Sequence, residues 1–366
     1  MTRAYDWLRS YAVVQSRGHL NRATRVTAQP LLCHQRSPPS IQSASMPATA
    51  PPPVRRVTIE EIRAARERIR GVITRTPLIR LHHDVAGVPE IWLKLENLQP
   101  INAFKIRGAA NAVAMLDADA RSKGVWTISA GNAGQGVAYA AREAGIPCTV
   151  LVIETAPETK IERMRNLGAT LVKAPFDACW NAMEARAYPG IEGTFVHPFD
   201  EHDFIAGNAT AGLEILEDLP HVKTVIAAIG GGGLTTGVGS AIKALAPHVR
   251  VLGAEPETAA PGARSFAANS PQVFDDWQAS FVDGAGGKSI FPRMWERISA
   301  VVDGSVVVTL DEVKSAIRLV ASKTRVIAEG AGALGVAAAL KEKEGPVVAV
   351  VSGGNIDLKK FCEIIG

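Results

Sequence analysis

The sequence predicts an α/β protein: two doubly wound αβα domains preceded by a disordered N-terminal tail. Three observations point there. From Gly124 onward, short β-rich runs alternate with helical ones, the order that builds a parallel sheet covered on both faces. Glycine-bearing turns join strand to helix at several of these junctions. The chain has 366 residues, 47% of them hydrophobic, which is enough for two domains of ~100–200 residues each.

The elements follow in order. Residues 1–57 carry eight Arg, no Lys and one acid, Asp6, and are rich in Pro, Ser and Ala, so disorder is expected there. Two readings of this tail stay open: an Arg-rich, acid-poor organellar transit peptide, or a gene start drawn upstream of a true start at Met46. Order is expected from Thr58, where TIEE reads as a capping box of Thr58 with Glu61. The helix behind it places Ile59, Ile62, Ile69 and Val72 on one side. After the turn RTPL comes the strand IWLKLE, then NAFKIRGAAN and an Ala-rich helix following Lys105. Strands GVWTIS, CTVLVI and TLVKA alternate with helices GQGVAYAAREAG and ETKIERMRNLG, and after a further helix a strand lies near TFVHP. A second series runs through TVIAAI, the glycine run, a helix, VRVLGAE, a capped helix from Thr309 and the strand VVAVVSGGN. This organisation predicts a large domain over 58–122 and 202–366 and a small one over 123–201.

Composition excludes several classes of function. The net charge of +4 comes from the tail; without it, 32 basic residues face 35 acidic ones, and a nucleic-acid partner is not expected. Cys33, Cys148, Cys179 and Cys362 show neither paired ligand spacing nor the density of a disulfide scaffold, which suits a reducing, cytoplasmic compartment. No apolar run reaches the ~20 residues of a membrane helix.

Three turns could hold ligands. Gly230–Gly233 follows a buried strand and opens a helix, so its N–H groups can converge on a phosphate at the positive helix end, or the glycines simply permit a tight turn. The dinucleotide spacing fails, because counting from Gly231 the third glycine arrives one place late, at Gly237; Glu255 as a ribose acceptor is weak support. The nucleotide P-loop lacks its Gly-Lys-Ser/Thr. SAGNAGQG, Ser129–Gly136, offers amides, a hydroxyl and a carboxamide to a carboxylate, and VSGGN sets Ser352 at the end of a parallel strand. Lys105, between Phe104 and Ile106, reads by itself as a snorkelling surface lysine.

Taken together, RTPL, LKLENLQ, FKIRGA, SAGN with GQG, the GGGGL run, the AEP at Ala254–Pro256, the DG at Asp283, EGAGALGVAA and VSGGNIDL resemble one family: the pyridoxal 5′-phosphate enzymes of the tryptophan-synthase β-subunit fold, in the threonine/serine dehydratase and serine racemase group. The resemblance spans Thr58 to Gly366. It implies that Lys105 is the catalytic lysine that binds the cofactor aldehyde as a Schiff base and then takes the substrate's Cα proton. Desolvation between Phe104 and Ile106 would favour its neutral amine. It implies a phosphate seat at Gly230, Gly231, Gly232, Gly233 and Leu234, ring contacts from Phe104, Asn132 and Ser352, and a substrate-carboxylate site at Ser129, Ala130, Gly131, Asn132 and Ala133. The implied reaction converts L-threonine to 2-oxobutanoate, or L-serine to pyruvate, with ammonia, in a homodimer or larger assembly.

Three other readings remain. Serine racemases of this group carry a serine where this chain has Ala130, so the proton donor that racemisation needs is missing and elimination is favoured. Ile101, Asn102 and Ala103 replace the usual Thr-Gly-Ser, and Ala133 a histidine, which opens the way to 3-hydroxyaspartate or phenylserine as substrate. A paralogue that binds cofactor or amino acid without turnover is the third. Glu255 and Ala259 match metal-ligand positions, but Pro261 stands for the second carboxylate, so no metal is expected. Since the chain stops after VSGGNIDLKKFCEIIG, feedback through an appended domain is not expected either.

Overall fold

A computed structural model of the chain describes residues 52–366; both readings of the tail fall on residues outside them. Val57, which the sequence assigns to the tail, is already buried, and Arg55 pairs with Glu61 at 2.6 Å, so packing starts just ahead of the first helix. That helix, α1 (Ile59–Ile69), has its capping box: Thr58 Oγ1 accepts from Glu61 N at 3.3 Å and Glu61 Oε2 from Thr58 N at 2.9 Å.

The chain continues through β1 (Leu78–Leu81), β2 (Ile91–Lys94), α2 (Lys105–Ala114) and α3 (Ala118–Lys123). Next come β3 (Val125–Ile128), α4 (Asn132–Ala144), β4 (Cys148–Ile153), α5 (Glu158–Asn166), β5 (Thr170–Ala174), α6 (Phe176–Ala185) and β6 (Thr194–Phe195). Then follow α7 (His202–Asp218), β7 (Thr224–Ala228), α8 (Gly233–Leu245), β8 (Arg250–Pro256), α9 (Pro261–Ala268) and α10 (Pro292–Ser299). The last elements are β9 (Gly304–Val308), α11 (Leu310–Thr324), α12 (Gly330–Ala339), β10 (Val347–Val350) and α13 (Leu358–Ile365).

The strands form two sheets, one of six strands in the order β1-β2-β10-β7-β8-β9 and one of four in the order β5-β4-β3-β6. All pairings are parallel except β1 with β2, which is antiparallel. β1 is an unforeseen edge strand: it is four residues long, follows Pro77 and buries only Leu81, too little alternation to announce itself.

Side chains that point to opposite faces explain why the central strands read as unbroken apolar runs. Val225 and Ala227 of β7, with Val348 and Val350 of β10, enter one core; Ile226, Ala228, Val347 and Ala349 enter the other. The smaller sheet divides in the same way, Val150 and Val152 on one face and Leu151 with Trp126 on the other. Among the described residues no helix is long and apolar enough to cross a membrane.

Candidate active site

β3, β7 and β10 each end at a glycine-bearing turn on the same side, and a cavity of about 920 Å³ opens between the two sheets beyond those strand ends. Lys105 lies on its wall because the segment before α2 is strapped to the turn after β10. Ala103 bridges Gly353, and Phe104 N donates to Ser352 O at 3.0 Å. The lysine Nζ donates to the Pro198 carbonyl at 2.6 Å and lies 5.2 Å from the Phe104 ring centre and 5.6 Å from that of Phe204. Among the described residues no carboxylate pairs with it, and burial pulls its pKa down to about 8. Phe204 of α7, not Ile106, is the second apolar neighbour: Ile106 turns away to pack with Ile101 and Ala103.

The Pro198 carbonyl belongs to a short loop that is held firmly. His197 Nδ1 accepts from Asp200 N at 3.0 Å and Phe199 N at 3.3 Å; burial, aided by Arg186, drives this imidazole's pKa to about 3, so it stays a neutral acceptor. Asp200 in turn accepts from Arg293 Nε at 3.0 Å and Arg297 Nε at 3.1 Å, both on α10. Phe199 packs directly on the glycine run. A Cβ on Gly231 would enter the Phe199 ring, and one on Gly233 would come within 2.9 Å of the Phe199 carbonyl; Gly232 has φ +87°. The glycines are therefore required by close packing and by a left-handed turn, beyond any ligand.

With side chains absent there, the backbone faces the cavity. Among the described residues, none of the N–H groups of Gly230–Leu234 donates to a protein acceptor, and these groups open the thirteen-residue helix α8. A second such place lies at the start of α4. There the N–H groups of Ala130, Asn132, Ala133 and Gly134 have no protein acceptor among the described residues, while Gly131 N donates to Ser129 Oγ at 3.0 Å. Two separate sets of orphan donors at positive helix ends suit two anions.

Asn132 reaches across the cleft. Its Nδ2 donates to Glu329 Oε1 at 2.8 Å and its Oδ1 accepts from Asn355 Nδ2 at 2.8 Å. Burial, reinforced by Asp283, pushes the Glu329 carboxyl up to about 7 against the hydrogen bond from Asn132. Buried Ser352 donates to the Ala331 carbonyl at 3.3 Å. The cavity wall thus brings together Phe104, Lys105, Ser129–Ala133, Gly230–Leu234 and Ser352. Sequence reasoning missed Glu329, Pro198 and Phe204; a lone carboxylate opening an otherwise apolar small-residue helix was the one signal available for Glu329.

Glu255 does other work. Its carboxylate accepts from Gly262 N at 2.7 Å, Ala263 N at 2.8 Å and Ser305 Oγ at 2.5 Å, so it caps α9 from inside, and burial raises its pKa. Neither a ribose nor a cation is needed to account for it.

A half-buried lysine of lowered basicity beside a cradle of orphan amides defines an α/β enzyme whose donor set fits a phosphorylated aldehyde cofactor. Residues 69–353 match the pyridoxal-phosphate dependent enzymes, and the chain belongs to that family. It is 40% identical to the L-threonine ammonia-lyase of Thermotoga maritima over 316 residues, 84% of this chain and 78% of that protein. Its fold matches a serine racemase from Dictyostelium discoideum with a TM-score of 0.75 at 35% identity, covering 82% of this chain and 99% of that one. A threonine deaminase from T.th. superposes with a TM-score of 0.72 at 33% identity, over 82% and 99% of the two chains.

Proposed function

We propose that this chain is an ammonia-lyase for a β-hydroxy α-amino acid, converting L-threonine to 2-oxobutanoate or L-serine to pyruvate with release of ammonia. The observation that carries this reading is the Lys105 amine, with its pKa lowered to about 8, on the wall of a cavity that also holds two orphan-amide sites. The names of the T. maritima and T.th. relatives support the substrate class.

The N–H groups of Gly230–Leu234 would hold the cofactor phosphate, Phe104, Asn132 and Ser352 its ring, and Lys105 its aldehyde carbon. Bound there, the cofactor supplies an electron-withdrawing ring that acidifies the Cα–H of an amino acid. The chain does the rest. The amides of Ala130, Asn132, Ala133 and Gly134 receive the substrate carboxylate at the α4 N-terminus. Ser129 Oγ already accepts from Gly131 N, which leaves its own proton to donate to that carboxylate. Lys105 Nζ, with one N–H tethered to Pro198 O at 2.6 Å, takes the Cα proton when neutral. The Phe104 and Phe204 rings flank the amine and limit its access to water. Ala130 offers a methyl group and no proton donor, which favours elimination over racemisation.

The test is incubation of purified protein with L-threonine, L-serine, 3-hydroxyaspartate and phenylserine, reading 2-oxo acid and ammonia. Lys105→Ala is expected to abolish the bound-cofactor absorption and cut turnover by about 10³-fold or more. Full turnover in that variant would overturn the assignment, whereas turnover of 3-hydroxyaspartate or phenylserine alone would keep the chemistry and change the substrate.

A further inference from the structure

One hydrogen-bonded chain passes back and forth across the cleft. Arg163 Nη1, on α5 beside the smaller sheet, donates to Asn355 Oδ1 at 2.6 Å, in the turn that follows the larger sheet's β10. Asn355 Nδ2 donates back to Asn132 Oδ1 at 2.8 Å, on α4 beside the smaller sheet, and Asn132 Nδ2 donates forward to Glu329 Oε1 at 2.8 Å, at the start of α12 on the larger sheet. Each link joins an element of one sheet to an element of the other, so opening the cleft breaks every link.

The sense of the chain is fixed by its ends. A guanidinium can only donate, so it selects the carbonyl oxygen of Asn355; the Ile101 carbonyl, which can only accept, takes Asn355 Nδ2 at 2.8 Å and selects the same sense. Glu329 cannot set the direction alone. With its carboxyl pushed up to about 7 it exists in both forms near neutrality, and its protonated form would donate to the Asn132 carboxamide as readily as the ionised form accepts. Only the bonds on the Asn355 side hold Asn132 with its amide nitrogen, and so its donors, on the Glu329 side.

We propose that Arg163 is a positioning residue: acting across the closed cleft through Asn355, it fixes the orientation of the Asn132 carboxamide at the cofactor ring. The ordinary view of an exposed arginine bond is that it contributes little. Here the bond terminates a chain whose other members line the cavity, and Lys160 one turn earlier on α5 pairs with Asp283 on the opposite wall, so this helix is tied to the larger sheet at two points.

The inference rests on the reading of Asn132 as a neighbour of the cofactor, and the experiment separates the two. Cofactor-free wild type, Arg163→Ala, Asn355→Ala, the double variant and an Arg165→Ala control are titrated with pyridoxal 5′-phosphate, following absorption. Arg165 lies on the same helix and, among the described residues, pairs only with Glu158 and Glu162.

Arg163→Ala is expected to weaken binding about five- to tenfold, the equivalent of one hydrogen bond of ordinary net strength, and to shift the absorption maximum of the bound cofactor. Its cofactor-free melting temperature should equal wild type, the double variant should bind no worse than Asn355→Ala, and the control should titrate like wild type. Binding by Arg163→Ala within twofold of wild type with an unshifted spectrum, a lowered cofactor-free melting temperature, or losses that multiply in the double variant would each overturn the proposal. A wild-type protein that binds no cofactor would instead sink the reading on which it rests.

Discussion

Lys105 is the residue at which charge and environment disagree most usefully. Two aromatic rings and one carbonyl surround its Nζ, and burial brings its pKa to about 8. Against an ordinary lysine, that shift gives roughly 300-fold more neutral amine at pH 7, and the neutral form is the nucleophile and the base. The direction of the pH dependence follows. Below about pH 8 protonation removes the reactive form, so cofactor capture by the cofactor-free protein should slow about tenfold per pH unit; above it, the rate should level. Stopped-flow absorption between pH 6 and 10 measures this, and a break near the ordinary lysine value would mean that the amine stands in water. The motif FKIRGA made this lysine legible in the sequence. Its partners were not: Phe204 and Pro198 meet it from the segment around α7, and no local pattern announces contacts between residues so far apart in the chain.

Among the elements, the 196–200 loop and the Gly230–Gly233 turn act as one packed unit. His197 and the α10 arginines shape the loop, Phe199 presses on Gly231 and Gly233, and Pro198 offers its carbonyl to Lys105. Gly231→Ala drives a methyl into the Phe199 ring, an overpacking worth about 1–3 kcal/mol, and either the loop or the glycine turn must move. Cofactor affinity should fall by about tenfold or more. Phe199→Ala removes the obstacle, so the double variant should bind more tightly than Gly231→Ala alone in the same absorption titration; if it binds no better, the loss lies in the backbone of the turn and not in the contact with Phe199. The sequence offers two readings of the glycine run, an anion site or a tight turn, but the ring of Phe199 was not legible there, since a glycine pattern does not say what approaches it. Helix α12 had a similar limit: buried on every side, it carries no amphipathic period that could mark it.

At the scale of the whole molecule, a buried ionic cluster ties the larger sheet to the helices that carry the site. Arg107 of α2, two residues beyond Lys105 and fully buried, donates to Glu96 through Nε at 2.7 Å and to Glu214 of α7 through Nη1 at 2.7 Å; Lys94 of β2 reaches Glu214 at 2.5 Å. In sequence, Lys94 and Glu96 look like polar positions of LKLENLQ, and only the fold makes them partners of Arg107 and Glu214. Burial works against ionising both Arg107 and Glu96, yet their mutual attraction outweighs it, raising the pKa of the arginine and lowering that of the carboxyl. A carboxyl lowered in the fold contributes stability that is present above its unfolded value near 4.5 and is lost as pH falls through its folded value. Arg107→Met keeps the length and removes the charge, leaving Glu96 without its counter-ion and Glu214 with Lys94 alone, at a cost of about 3–5 kcal/mol. The melting temperature should drop by on the order of 10 °C at pH 8. Because Glu96, once abandoned by Arg107, protonates more readily than in the wild type, the gap should narrow as pH is lowered toward 5, and thermal melts of both proteins at the two pH values measure it. A gap of equal size at both would assign the loss to packing of the guanidinium, and the ionic cluster would then not be what anchors α2, and with it Lys105, to the sheet.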